Sequence, residues 1–112
     1  DTKDIDSLIA NLKKRYIDNG QAVIIGEYGT RNRSFNTEPR AECARYYVSK
    51  ATEAGIPCIW WDNNAFTGNG ENFGLFNRTS FEWRFPEIVS AIMESCGASG
   101  STSNTSAESS AE

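Results

Sequence analysis

The chain has 112 residues, 38% hydrophobic and 23% charged, with a formal net charge of −4, no histidine and three cysteines. That length makes at most one small domain, and the acidic balance speaks against a nucleic-acid or anionic-membrane partner, since neither phosphates nor anionic lipids favour a negative surface. Without histidine, no Ser-His or Cys-His catalytic arrangement can lie within the chain, and without Cys-x-x-Cys spacing a zinc site or disulfide framework is disfavoured.

Cys43, Cys58 and Cys96 are therefore expected as small buried hydrophobes. No apolar run approaches the ~18 residues of a membrane span, and Asp1-Thr2-Lys3-Asp4 is no signal-peptide core, so the chain reads as soluble. From Ile5 the apolar residues recur as Leu8, Ile9, Leu12, Tyr16 and Ile17, a helical stripe with Asp4 as capping candidate and a stop at Asn19-Gly20. Ala22 to Gly26 is the first expected strand, and its position between two helical patterns predicts a parallel α/β arrangement. Thr30 to Thr37 is a polar loop. Pro39 then fits the first turn of a helix capped by Thr37 or Glu38, its stripe running Ala41, Ala44, Tyr47, Val48 and Ala51 before Gly55 ends it. Small residues on that face allow close packing on a sheet.

Ile56 to Trp61 is the second strand, apolar on both faces as a covered strand should be. Asp62 to Ser80 is long for a connection and carries apolar anchors in Phe66, Phe73, Leu75 and Phe76, which suits a functional rim. Phe85-Pro86 opens a last helix with the stripe Ile88, Val89, Ile92, Met93 and Cys96, ending at Gly97. Residues 1–97 form the expected folded unit. Ala98 to Glu112 is Ser, Thr, Ala and Gly-rich, too poor in apolar surface to offset its ordering entropy, and reads as a disordered linker or tail.

The stretch with chemistry in it is Val23-Ile24-Ile25-Gly26-Glu27-Tyr28-Gly29. A short apolar run with one carboxylate at its far end is how a buried parallel strand delivers an acid to a site, although such a carboxylate can equally accept N–H groups from the next loop. Gly68, Gly70 and Gly74 make no phosphate cradle, lacking the Gly-Lys-Ser/Thr sequel and an immediate helix. Asp62, Asn64 and Glu71 do not keep calcium-loop spacing. No metal or cofactor is implied. Trp60 and Trp61 must point to opposite faces of their strand, so at most one faces its mouth.

The Gly26-Glu27-Tyr28-Gly29 end resembles the nucleophile strand of family 5 glycoside hydrolases, cellulase-type (β/α)8 barrels. Gly55-Ile56-Pro57-Cys58-Ile59-Trp60-Trp61-Asp62-Asn63-Asn64 is similar to the eighth strand of the endoglucanase and xyloglucanase branch, and Gly70-Glu71-Asn72-Phe73-Gly74-Leu75-Phe76-Asn77-Arg78 to the loop beyond it. A complete barrel needs about 250 residues. The resemblance thus implies a C-terminal portion, about the last two strands and their helices, whose partner is the missing N-terminal part of the barrel. It implies a secreted, retaining endo-β-1,4-glucanase acting on a β-glucan polysaccharide or oligosaccharide, with Glu27 as nucleophile and the acid/base glutamate on an absent strand. It makes Trp61, nearer the mouth than Trp60, the floor under the sugar, with Tyr28, Arg31, Asn64, Phe66 and Glu71 as rim candidates. Asp62 becomes a turn former or a contact to sugar hydroxyls. The alternative implied function is a non-catalytic carbohydrate-binding relative. The isolated chain is expected to be inactive.

Overall fold

The computed structural model describes residues 2–97; the expected tail, 98–112, lies outside the described residues. Helix α1 (Thr2–Arg15) carries Asp4 in its first turn and Lys13, Lys14 and Arg15 in its last, charges that complement the helix dipole. Asp4 is therefore inside the helix and does not cap it. Only part of the expected stripe turns inward: Ile9 is buried, whereas Leu8 and Tyr16 are 42% and 38% exposed. A single 3₁₀ turn, Ile17–Asn19, and Gly20 at φ 79° end the segment where Asn19-Gly20 predicts.

Strands β1 (Ile25–Tyr28) and β2 (Cys58–Trp60) pair in parallel. Helix α2 (Thr37–Glu53) crosses between them, and Ala54 and Gly55, at φ 75°, terminate it. Neither Thr37 nor Glu38 caps α2. The preceding residue is Asn36, whose side chain instead accepts from the Arg33 N–H at 3.0 Å and donates to the Arg31 carbonyl at 3.1 Å, folding the loop that leads in.

Where a loop from Asp62 to Ser80 was expected, the chain forms an antiparallel hairpin, β3 (Phe76–Asn77) with β4 (Glu82–Trp83), in the register Phe76 to Trp83 and Asn77 to Glu82. Helix α3 (Pro86–Ser95) begins on Pro86 as predicted, with Gly97 just past its end at φ 79°.

Two apolar cores lie against the sheet. One joins α2, the hairpin and α3 through Ala41, Ala44, Leu75, Phe85, Ile88 and Ala91. The other joins α1 to the end of α2 and the start of β2 through Ile9, Ala51, Ala54 and Ile56. The alanines let α2 approach both neighbours closely, and Ile56 and Ile88, 1% and 0% exposed, each contribute about 1.5–3 kcal/mol by leaving water. Arg45 ties the helices at their surface, reaching Glu94 on α3 at 3.1 Å. Cysteine burial is only partial. Cys43 and Cys58 are half-buried, but Cys96 is exposed because α3 has ended before it.

Candidate active site

Strand β1 starts later than the sequence predicts and runs through Glu27, because its ladder is set by β2: the Ile25 N–H donates to the Pro57 carbonyl at 2.9 Å and the Trp61 N–H to the Tyr28 carbonyl at 2.8 Å. Ile25 lies opposite Cys58 and Tyr28 opposite Trp60. Two residues, Gly26 and Glu27, thus face the single Ile59, and β1 carries a bulge where its acid stands. The extra residue changes the strand's parity. Ile25 and Tyr28 would otherwise point to opposite faces; with the bulge both turn toward the helices, Ile25 into the α1 core and Tyr28 onto the Tyr47 ring of α2. Glu27, next to Tyr28, therefore takes the other face.

That other face is open. Ile24, Ile59 and Trp61 are 64%, 56% and 46% exposed on it. Strand alternation thus assigns Trp61 and Glu27 to one side of the sheet, at the C-terminal ends of adjacent strands. Trp60 goes to the helix side, where its indole N–H donates to the Phe73 carbonyl at 2.8 Å and its ring meets Tyr28 edge-on with centroids 5.4 Å apart. Tyr28, a rim candidate from the sequence, and Trp60, the substrate-binding candidate beside Trp61, face the helix side and contribute no ring to the open face. A hollow of about 240 Å³ runs behind the strand end between Tyr28, Thr30, Tyr47 and Trp60, with Glu27 at its lip. Burial first, and then the neighbouring Cys58, pushes the Tyr28 phenol well above the usual tyrosine range, and burial raises the Tyr47 phenol and the Cys58 thiol too.

The loop after β2 is built on side-chain hydrogen bonds. Asp62 accepts from the N–H groups of Asn64, Leu75 and Phe76 at 2.9, 3.1 and 2.9 Å, the role of a turn former. Asn63 accepts from Ala65 and Phe73 and donates to the Glu71 carbonyl. Asn64, at φ 57°, accepts from the Arg78 N–H, and the Glu71 side chain stays exposed. Phe66 leans on the α2/α3 core and on Gly74. Its carbonyl accepts from the Asn32 amide at 2.7 Å, joining this loop to the one after β1 around a cleft of about 300 Å³ that Arg31, Arg33 and Asn69 also line.

Sequence reasoning missed two features. Arg40 is buried on α2, with Trp60 and Phe85 rings against its guanidinium; helical spacing places it beside Ala41 and Ala44, but a charged residue reads as solvent-facing. Phe81 and Trp83, 76% and 53% exposed, flank Phe76 on the hairpin; only the density of aromatics from Phe73 to Phe85 hinted at them. No cluster of three or more potential metal ligands occurs among the described residues.

Residues 1–67 match the family Cellulase (glycosyl hydrolase family 5), and the chain belongs to that family. It is 48% identical over 85 residues to Endoglucanase 1 of Ruminococcus albus, a match covering 76% of this chain and 21% of that relative. It superposes on a family 5 lichenase from Caldicellulosiruptor sp. F32 with a TM-score of 0.83 at 49% identity, over 84% of this chain and 25% of the other. A mutant of that lichenase in complex with cellotetraose matches with a TM-score of 0.82, also at 49% identity and with the same coverage. The chain thus spans about a fifth to a quarter of these relatives.

Proposed function

We propose that this chain is the C-terminal portion of a (β/α)8 barrel that hydrolyses β-1,4-linked glucans with retention, and that Glu27 is its nucleophile. The observation that supports this reading is the bulge at Gly26 and Glu27: with Tyr28 turned toward α2, strand alternation assigns Glu27 to the opposite face, the face on which Trp61 is exposed. Retention requires a second carboxyl about 5 Å from the first. Asp62 is not that group, because its oxygens are engaged with the backbone of its own loop, so the acid/base residue belongs to a strand outside residues 1–112.

Glu27 attacks the anomeric carbon as the outside acid protonates the leaving oxygen; water, deprotonated by that same residue, then releases the glycosyl-enzyme. Trp61 offers a flat apolar face to the C–H side of a glucosyl ring, and its indole N–H, without a partner among the described residues, can reach a hydroxyl. Asn64, Phe66, Arg31 and Glu71 stand further along the rim. A cello-oligosaccharide class of substrate fits the cellotetraose complex of the similar lichenase. An extracellular location is part of this proposal, because a polymeric glucan is too large to enter a cell.

The test is Glu27→Gln in the complete protein that carries this segment, assayed on soluble β-glucan and with a 2-fluoro glycoside that traps the covalent intermediate. Turnover should fall by at least ~10³-fold, with the wild-type label on Glu27. Undiminished turnover, or a label on another residue, overturns the assignment.

A further inference from the structure

Arg40 is the buried charged side chain among the described residues, 2% exposed, and its guanidinium is only partly satisfied. Its Nε donates to the Thr30 carbonyl at 3.2 Å, while Nη1 and Nη2 have no hydrogen-bond partner among the described residues. The guanidinium carbon lies 4.7 Å from the centroid of the Phe85 ring and 5.9 Å from that of Trp60. Burial lowers its pKa from the ordinary arginine value, the mark of a cation held out of water. An apolar side chain of similar length would fill the space between two aromatic rings without stranding donors. What it could not do is hold the Thr30 carbonyl.

Thr30 stands three residues past Glu27, and the intervening chain is caught at each step. The Tyr28 carbonyl accepts from the Trp61 N–H at 2.8 Å. Gly29 lies so close to Phe73 and Trp60 that a Cβ there would meet them at 3.3 and 3.5 Å. Arg40 supplies the last hold, and it does so with its guanidinium over the ring of Trp60, the neighbour of Trp61. We infer that Arg40 is a positioning residue: through its bond to Thr30 and its guanidinium's contact over the Trp60 ring it fixes how the ends of β1 and β2 meet, and hence the direction in which Glu27 leaves its bulge. This rests on the reading of Glu27 as nucleophile.

The experiment uses the complete protein, with Arg40→Met, which fills the space without a donor, and Arg40→Lys, whose ammonium can meet Thr30 or stack between the rings but not both. The readout is the rate of covalent labelling by a 2-fluoro glycoside well below each variant's melting temperature, together with kcat and KM. Displacement of a nucleophile by a fraction of an ångström should slow labelling on the order of 10-fold to 100-fold in Arg40→Met and several-fold in Arg40→Lys, with kcat falling in parallel and KM within about twofold. A lower melting temperature with labelling and kcat at the wild-type level, in either variant, overturns the inference and leaves the nucleophile assignment standing. If Arg40→Met does not fold, Arg40→Lys decides by the same criterion. A wild-type label on a residue other than Glu27 removes the nucleophile reading itself, whatever the Arg40 variants do.

Discussion

Trp60 and Trp61 are neighbours in the chain and belong to different environments, one with its N–H committed to the Phe73 carbonyl, the other on the open face. Strand alternation made that division legible before any coordinates, but not its direction, which depends on where β2 meets β1. The short apolar run ending in Glu27 was equally legible. Arg40 was not, since only the packing of two aromatic rings over a guanidinium makes burial of that charge tolerable. The buried phenols and thiol behind Glu27 carry a prediction of their own. Tyr28, Tyr47 and Cys58 are all raised by burial, so each holds its proton more tightly folded than unfolded. Their contribution to stability is complete below the unfolded values and is lost as the pH climbs through them, from about 8.5 for the thiol and about 10 for the phenols. In the complete protein the melting temperature should decline above about pH 9, and Tyr28→Phe should flatten that decline. A Tyr28→Phe variant with the wild-type alkaline slope would show that the buried phenol is not responsible.

The three helices follow from 3.6-residue periodicity, Pro39, Pro86 and the glycines at 55 and 97, all local signals that tertiary contacts reinforce. The strands were less readable. β1 slipped from 22–26 to Ile25–Tyr28 because its limits are set by hydrogen bonds from β2, a partner over 30 residues away, and the bulge has no local signature beyond Gly26. The β3–β4 hairpin escaped notice because its turn, Arg78-Thr79-Ser80-Phe81, lacks glycine and proline. Asn77 does their work, accepting from the Thr79 and Ser80 N–H groups at 2.9 and 3.1 Å, while Phe81 adopts φ 61°. The loop beneath the hairpin is tightly packed at Gly74, where a Cβ would lie 2.7 Å from Phe66 Cε1 and 2.8 Å from the Ala65 carbonyl oxygen. Backbone cannot give way as a side chain can. Gly74→Ala should therefore destabilise the complete protein by about 1–3 kcal/mol, read as a lowered melting temperature. An unchanged melting temperature would mean that the Ala65 segment moves aside freely.

At the scale of the molecule, the feature that organises everything is a sheet of two strands with one face covered and one bare. Ile24, Ile59 and Trp61 on the bare face, and the outer edges of β1 and β2, have no covering element among the described residues. Edges and apolar faces of this kind invite association. Residues 1–112 expressed alone should elute from size exclusion as oligomers or aggregates and leave soluble β-glucan intact; a well-behaved, hydrolytically active monomer would refute the barrel-portion reading. The two bare edges have a further consequence. A polypeptide cut just ahead of α1 would yield pieces that must join along two seams at once, since zipping only one would leave the bulged carboxylate facing bulk water. Under the proposed barrel reading, complementation in trans would then be all-or-none, with hydrolysis appearing only when the ring shuts.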